Sequence, residues 1–258
     1  MEDVIPFLLG PIAQEPHIYF VLMALIFGGA FITSGFGVGG GVFMTPLIVL
    51  LFPPKFGIGL LGPMMLMMSA AGVRQYWKKW DNRCLLILLP ASLAGIFLGT
   101  HLLSQIPGEA VKKVVGILAV GFGALQYLSL DRPAWRERLR PSAWQGVGLG
   151  FASGVTSALA HLGGIVFSFY LLPNSRTKEI FVATTVFMFF ASGLVKVGTY
   201  LAYDIIAFPT LRLAVALIPA LLLGSLAGKW LNQRLPNRVF IRIICIFVGL
   251  MGLRLLLA

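Results

Sequence analysis

Charge is scarce in this chain, and acidic charge most of all: Asp, Glu, Lys and Arg make up 11% of the 258 residues, and nine are Asp or Glu. All nine fall at the ends of apolar segments or between them. No carboxylate therefore sits inside a hydrophobic run to hold a cation or act as a base, which argues against a cation carrier and against an intramembrane enzyme. Cysteine is nearly missing as well. Cys84 and Cys245 share no C-x-x-C or Cys/His spacing, so neither a redox pair nor a zinc site is expected, and no cofactor. A basic leader is also lacking: the chain starts Met1-Glu2-Asp3 and has no Lys or Arg before Lys55, so no cleaved signal is expected. Long polar loops are absent too, as suits a prokaryotic inner membrane.

Apolar residues fill the space. They make up 58% of the chain, mean hydropathy is +0.92, and hydrophobic blocks recur from end to end. The expected class is an all-α polytopic membrane protein, with the lipid bilayer as its surroundings. A net charge of +11 would point to nucleic acid in a soluble protein. Here the basic residues cluster in short gaps between apolar blocks, which is the pattern of cytoplasmic loops, so no nucleic acid partner is expected. Ten helical segments are predicted, at about 18–36, 40–52, 58–78, 83–104 and 109–129, then about 142–159, 162–172, 177–201, 208–232 and 237–257. They divide the chain into a first repeat, 1–129, a basic cytoplasmic linker, 130–141, and a second repeat, 142–258.

Spacing carries the repeat. Gly163-Gly164 and Asp204 follow Gly40-Gly41 and Asp81 at one offset (163 − 40 = 123). Pro219, Gly224, Gly228 and Pro236 follow Pro90, Gly95, Gly99 and Pro107 at a second (219 − 90 = 129), so a short insertion after Asp204 reconciles the two. Five segments per repeat is an odd number, which inverts the second repeat relative to the first. With both termini outside, Arg74, Lys78, Lys79 and Arg83, the four arginines of the linker, Arg176 and Lys178, and Lys229, Arg234, Arg238 and Arg242 all face inward. That is 14 of the 20 Lys and Arg. Lys112, Lys113 and Arg254 fall on the outer side.

The first two segments of each repeat form a short, re-entrant, Gly-tipped hairpin. About thirteen residues in segment 40–52 span roughly 20 Å, short of a hydrocarbon core of about 30 Å. A turn at that depth must be buried in protein or line an aqueous cavity. Gly37, Gly39, Gly40 and Gly41 allow backbone to approach a ligand, and a helix starting beyond them, carrying Thr45, aims its positive dipole end at the turn. Close helix packing is the other reading of such glycines. The second tip offers Ser157, His161, Gly163 and Gly164; its hydroxyls serve a ligand or bond back to their own helix, and His161 is a ligand or proton group or a structural donor. Lys196 either snorkels to the surface or faces inward as counter-charge to an anion, with Tyr200 one turn on as a donor. Met64, Met65, Met67 and Met68 are spread around their helix and read as packing, not as a copper site. Trp77, Trp80, Trp135 and Trp144 read as interface anchors.

The run "GFGVGGGVFMTPLIVL", its echo "HLGGIVFSFYLLP" and "VATTVFMFFASGLVKVGTY" resemble the TauE/SafE family of bacterial sulfite and organosulfonate exporters, the TSUP transporters. The matching positions are Gly37, Gly39, Gly40, Gly41 and Pro46, then Ala183, Thr184, Lys196 and Tyr200. Ser192 stands where the family usually has asparagine, and His161 and Leu162 where it has more glycine. The resemblance implies a secondary transporter moving a small sulfur-containing anion such as sulfite, thiosulfate or a sulfonate. An inside-negative potential drives such an anion outward, so a proton or sodium ion is expected as coupling partner for uptake alone. A non-transporting membrane scaffold, or a carrier of another small anion, is the alternative.

Overall fold

A computed structural model describes residues 16–36, 40–130, 141–232 and 237–257 of the chain. Among them lie eleven helices: α1 (Pro16–Phe36), α2 (Gly40–Leu51), α3 (Pro54–Gln75), α4 (Asn82–Gln105), α5 (Gly108–Leu130), α6 (Ala143–Ala160), α7 (Gly163–Asn174), α8 (Lys178–Ala202), α9 (Phe208–Ala216), α10 (Ile218–Asn232) and α11 (Asn237–Leu257). Gly37, Gly39, the linker from Asp131 to Arg140 and Trp135 lie outside the described residues.

Local chemistry sets the helix ends. Asp81 caps α4 by accepting from the N–H groups of Arg83 (2.8 Å) and Cys84 (3.2 Å), and Thr177 caps α8 by accepting from Ile180 (3.2 Å). At the start of α6, Gln145 reaches back to the Ser142 N–H (2.8 Å). α3 starts at Pro54, earlier than the expected position near 58, because proline at the first helical position has the right φ and loses no bond.

Among the described residues, four helices are long and apolar enough to cross a membrane: α3, α4, residues 108–128 of α5, and α8. α9 and α10 together make a fifth, bent by 45°. That bend corrects the single segment expected at 208–232. Pro219 has no N–H for the carbonyl of Val215, so the helix stops there; the Leu217 N–H still closes the last turn on the Leu213 carbonyl (3.0 Å). Pro90 does not break α4, so proline alone does not decide the outcome.

α2 and α7 have 12 residues each and reach only about 18 Å. Each folds back on the helix before it. Met44 of α2 covers Gly29 of α1, and in the other hairpin Tyr170 of α7 lies on Gly146 of α6. Three longer interfaces tie the molecule together. α4 and α6 run parallel, with Gly95 against the backbone of Phe151 and Gly99 against that of Val155. α10 and α1 also run parallel, with Gly224 against Phe27 and Gly228 against Phe31. α5 and α11 cross antiparallel, Gly116 on Gly252 and Gly123 on Cys245. In each case a missing side chain lets backbones approach, which is how helices associate where water supplies no driving force.

The surface left over is apolar, with Phe20, Leu86, Ile117, Leu222, Leu226 and Leu250 all exposed. Trp77 and Trp144 are exposed at helix ends, as interface anchors require, and Trp80 stacks on Phe187 at 4.4 Å. Met64 is buried in the core with Met65, Met67 and Met68 packed around it. Where α3 leads into α4, Lys79 pairs with Glu179 at the start of α8 (2.7 Å). That carboxylate raises the pKa of the exposed Lys79 above its ordinary value, by hydrogen bond first and by charge second. The pair holds two basic turns on one face of the molecule.

Candidate functional site

The two hairpin tips meet. A Cβ on Gly41, in the first turn of α2, would overlap the carbonyl oxygen and Cβ of His161, so glycine is what allows the first tip to sit on the second. Thr45 lies one turn along α2 on the same face, fully buried, and its hydroxyl has no partner.

His161 ends α6 in an unusual way. Its φ is 57°, the left-handed position that glycine normally takes at a helix C-terminus. The Leu162 N–H reaches back to the Thr156 carbonyl (3.3 Å) and the His161 N–H to that of Ser157 (3.1 Å), which closes the last turn. The imidazole is 5% exposed, and neither ring nitrogen has a partner. Buried polar atoms are nearly always paired, so a ring that is not is a ligand-facing candidate. Beyond it, Gly163 is pressed against Ser153 and Ser157 of α6, and the Ser153 hydroxyl donates to the Gly163 carbonyl (3.0 Å). Gly164 is covered by the ring of Phe189.

α8 runs past this second tip. Lys196 is 5% exposed, and its Nζ donates to Ser157 Oγ (3.2 Å). The side chain therefore turns inward and does not snorkel. Among the described residues it is the one buried cation, and no carboxylate pairs with it. The described acids, Asp81, Glu109, Glu179 and Asp204, all stand at helix ends or just beyond. Tyr200 is fully buried one turn on, but its hydroxyl donates to the Ala158 carbonyl (2.6 Å) and not into open space. Its single proton is committed to holding α6 against α8.

Ser157, His161 and Lys196 are thus brought together with Gly41, and Thr45 and Gly163 border them. Gly164 lies behind Phe189, and Tyr200 supports the tip from its far side. Two features were not read from the sequence. Thr100 and Thr199 share a hydrogen bond (3.1 Å) that joins α4 to α8 one turn from Lys196, and Thr185 is buried with an unpartnered hydroxyl. Thr185 directly follows the Ala183-Thr184 pair, which was a usable signal. Thr100 and Thr199 gave none, because only the packing of α4 on α8 makes them neighbours.

Apolar exterior, helices joined through glycine, and a buried cation where two short hairpins touch define a multi-pass helical membrane protein with an interior polar site. Residues 21–255 match the family described as sulfite exporter TauE/SafE, and the chain belongs to that family. It is a membrane transporter and not an enzyme. Comparisons with curated proteins and with solved structures returned no match.

Proposed function

We propose that this chain carries a small sulfur-containing anion, such as sulfite, thiosulfate or an organosulfonate, across a bacterial inner membrane. The observation that carries this reading is the buried Lys196 ammonium, without a carboxylate partner, at the contact between two hairpin tips. A buried charge is costly unless neutralised, so the site is built for something negative that is not part of the protein. His161 and Thr45 add polar atoms left free, and the N-terminus of α2 adds backbone N–H groups. Tyr200 positions the second tip.

Alternating access is supported by how the helices exchange contacts. α4 packs on α6 as α10 packs on α1, through glycines that share the offset of the sequence repeat. α5 packs on α11 through Gly116·Gly252 and Gly123·Cys245, and the same offset converts one of these contacts into the other (245 − 116 = 129; 252 − 123 = 129). Two repeats related by a two-fold axis would produce this exchange, and parallel α4–α6 and α10–α1 pairs are what inverted five-segment repeats require. Rocking of one repeat against the other then exposes the site to each side in turn. With both termini outside, an inside-negative potential drives a monovalent anion outward by about 2.3 kcal/mol per 100 mV. Export needs no coupling ion. Uptake would need a proton or sodium, and His161 is the titratable group at the site.

The test is the unfolding midpoint of purified protein in detergent against sulfite, thiosulfate, sulfate, sulfoacetate, taurine and chloride, for the native chain and for Lys196→Ala. One sulfur oxyanion should raise the midpoint, and Lys196→Ala should lose that rise. If no anion moves the midpoint of a monodisperse sample, the chain is not an anion carrier of this kind.

A further inference from the structure

Resting on that reading, the site also sets the charge of what it accepts. Lys196 contributes one positive charge, and its contact with Ser157 uses one of three ammonium protons, leaving two for a ligand. Among the described residues, everything else in reach is a dipole without fixed charge: the Ser157 and Thr45 hydroxyls, backbone N–H groups at the tips, and the imidazole of His161. Dipoles solvate an anion, but they do not neutralise it. Titratable groups on the other elements packed against α8 sit elsewhere. Lys55 and Arg74 are at opposite ends of α3, Arg83 and Cys84 start α4, His101 lies near its far end against Tyr203, and Tyr170 lies under Gly146. Among the described residues, of these groups only His161 lies close enough to Lys196 for its side chain to feel the ammonium charge. A dianion would thus enter with one charge left uncompensated in a buried place, and that is the costliest state available to it.

We infer that this site takes anions bearing a single negative charge and rejects dianions, so that sulfite is carried as hydrogen sulfite, simple sulfonates are carried as they stand, and thiosulfate, a dianion near neutral pH, drops out of the candidates named above. Sulfite gains its proton near neutral pH. Methanesulfonate, by contrast, is singly charged at every working pH. It therefore reports any titration of Lys196 or His161 itself, and the ratio of sulfite to methanesulfonate affinity isolates the charge of the ligand.

The experiment is calorimetric titration of the purified full chain in detergent with methanesulfonate, sulfite and sulfate, below and above the second ionisation of sulfurous acid. Methanesulfonate should bind at both pH values. Sulfite should match it at the lower pH and fall about tenfold per pH unit relative to it above the ionisation. Sulfate should bind roughly a hundredfold more weakly than methanesulfonate, as an uncompensated buried charge demands. A sulfite ratio that stays flat or rises with pH, or sulfate binding as tightly as methanesulfonate, would overturn the inference and leave the anion carrier standing. Failure of all three to bind would remove the carrier reading, and this inference with it.

Discussion

At position 161 a histidine occupies backbone space that a glycine would fill without strain, and both of its nitrogens are buried without a partner. Each feature costs stability, of the order of 1 kcal/mol or more for the left-handed backbone and about as much again for unmet polar atoms. Strain of this kind that persists points to use of the side chain. His161→Gly should therefore unfold at a higher temperature than the native chain in the absence of ligand, and gain less from sulfite when it is added. A lower midpoint without ligand would mean that the imidazole holds the fold and not the anion. Tyr200 is the opposite case. Its proton goes to the Ala158 carbonyl, so Tyr200→Phe should cost about 1–3 kcal/mol by leaving that oxygen unmet, while anion affinity changes little. Thermal unfolding with and without sulfite separates the two effects; a Tyr200→Phe chain of native stability that no longer binds would make the hydroxyl a ligand.

Whole helices depend on glycine at the places where backbones touch. A Cβ on Gly95 would meet the Phe151 carbonyl, and one on Gly224 the Phe27 carbonyl, whereas Gly121 has open space. Gly95→Leu and Gly224→Leu should each destabilise by about 1–3 kcal/mol or more, and Gly121→Leu should be close to neutral. Midpoints of the three variants in one detergent decide this; equal effects at all three would mean that the α4–α6 and α1–α10 contacts are not close-packed. Much of this level was readable beforehand, because glycine and proline punctuate an otherwise continuous apolar text. Ten expected segments became eleven helices through one event at Leu217. Pro219 broke its helix and Pro90 did not, and nothing in the linear pattern separates the two. At the site, Lys196 and the glycines were visible as exceptions to composition. The inward turn of Lys196 toward Ser157 and the commitment of Tyr200 to Ala158 were not, since each depends on α8 passing the end of α6.

Across the molecule, the sidedness of charge decides which way the site opens. The Lys79–Glu179 pair and the bond from the Asp81 N–H to Thr184 Oγ1 (2.9 Å) fasten the turn between α3 and α4 to the start of α8, so two basic turns share a face. The parallel run of α4 and α6 places the start of α6, which follows the arginine-rich linker, on that same face. Bases on the other side have local reasons to be there. Lys55 donates to the Ser104 carbonyl at the end of α4 (2.8 Å), where a cation offsets the helix dipole, and Lys112 and Lys113 line a crevice with Glu109 and Leu255 to Leu257. Positive charge on the inner side then predicts that position 79 is cytoplasmic and position 113, some 36 Å away along the 24 residues of α4, is outside. Both native cysteines are buried and free, so a chain carrying Cys84→Ser and Cys245→Ser makes a clean background for single reporters at these exposed positions. A membrane-impermeant maleimide added to intact cells should label Lys113→Cys and spare Lys79→Cys until the membrane is opened. The reverse pattern would turn the protein over, place both termini inside, and make the same inside-negative potential oppose entry of an anion at the Lys79 face instead of driving it out.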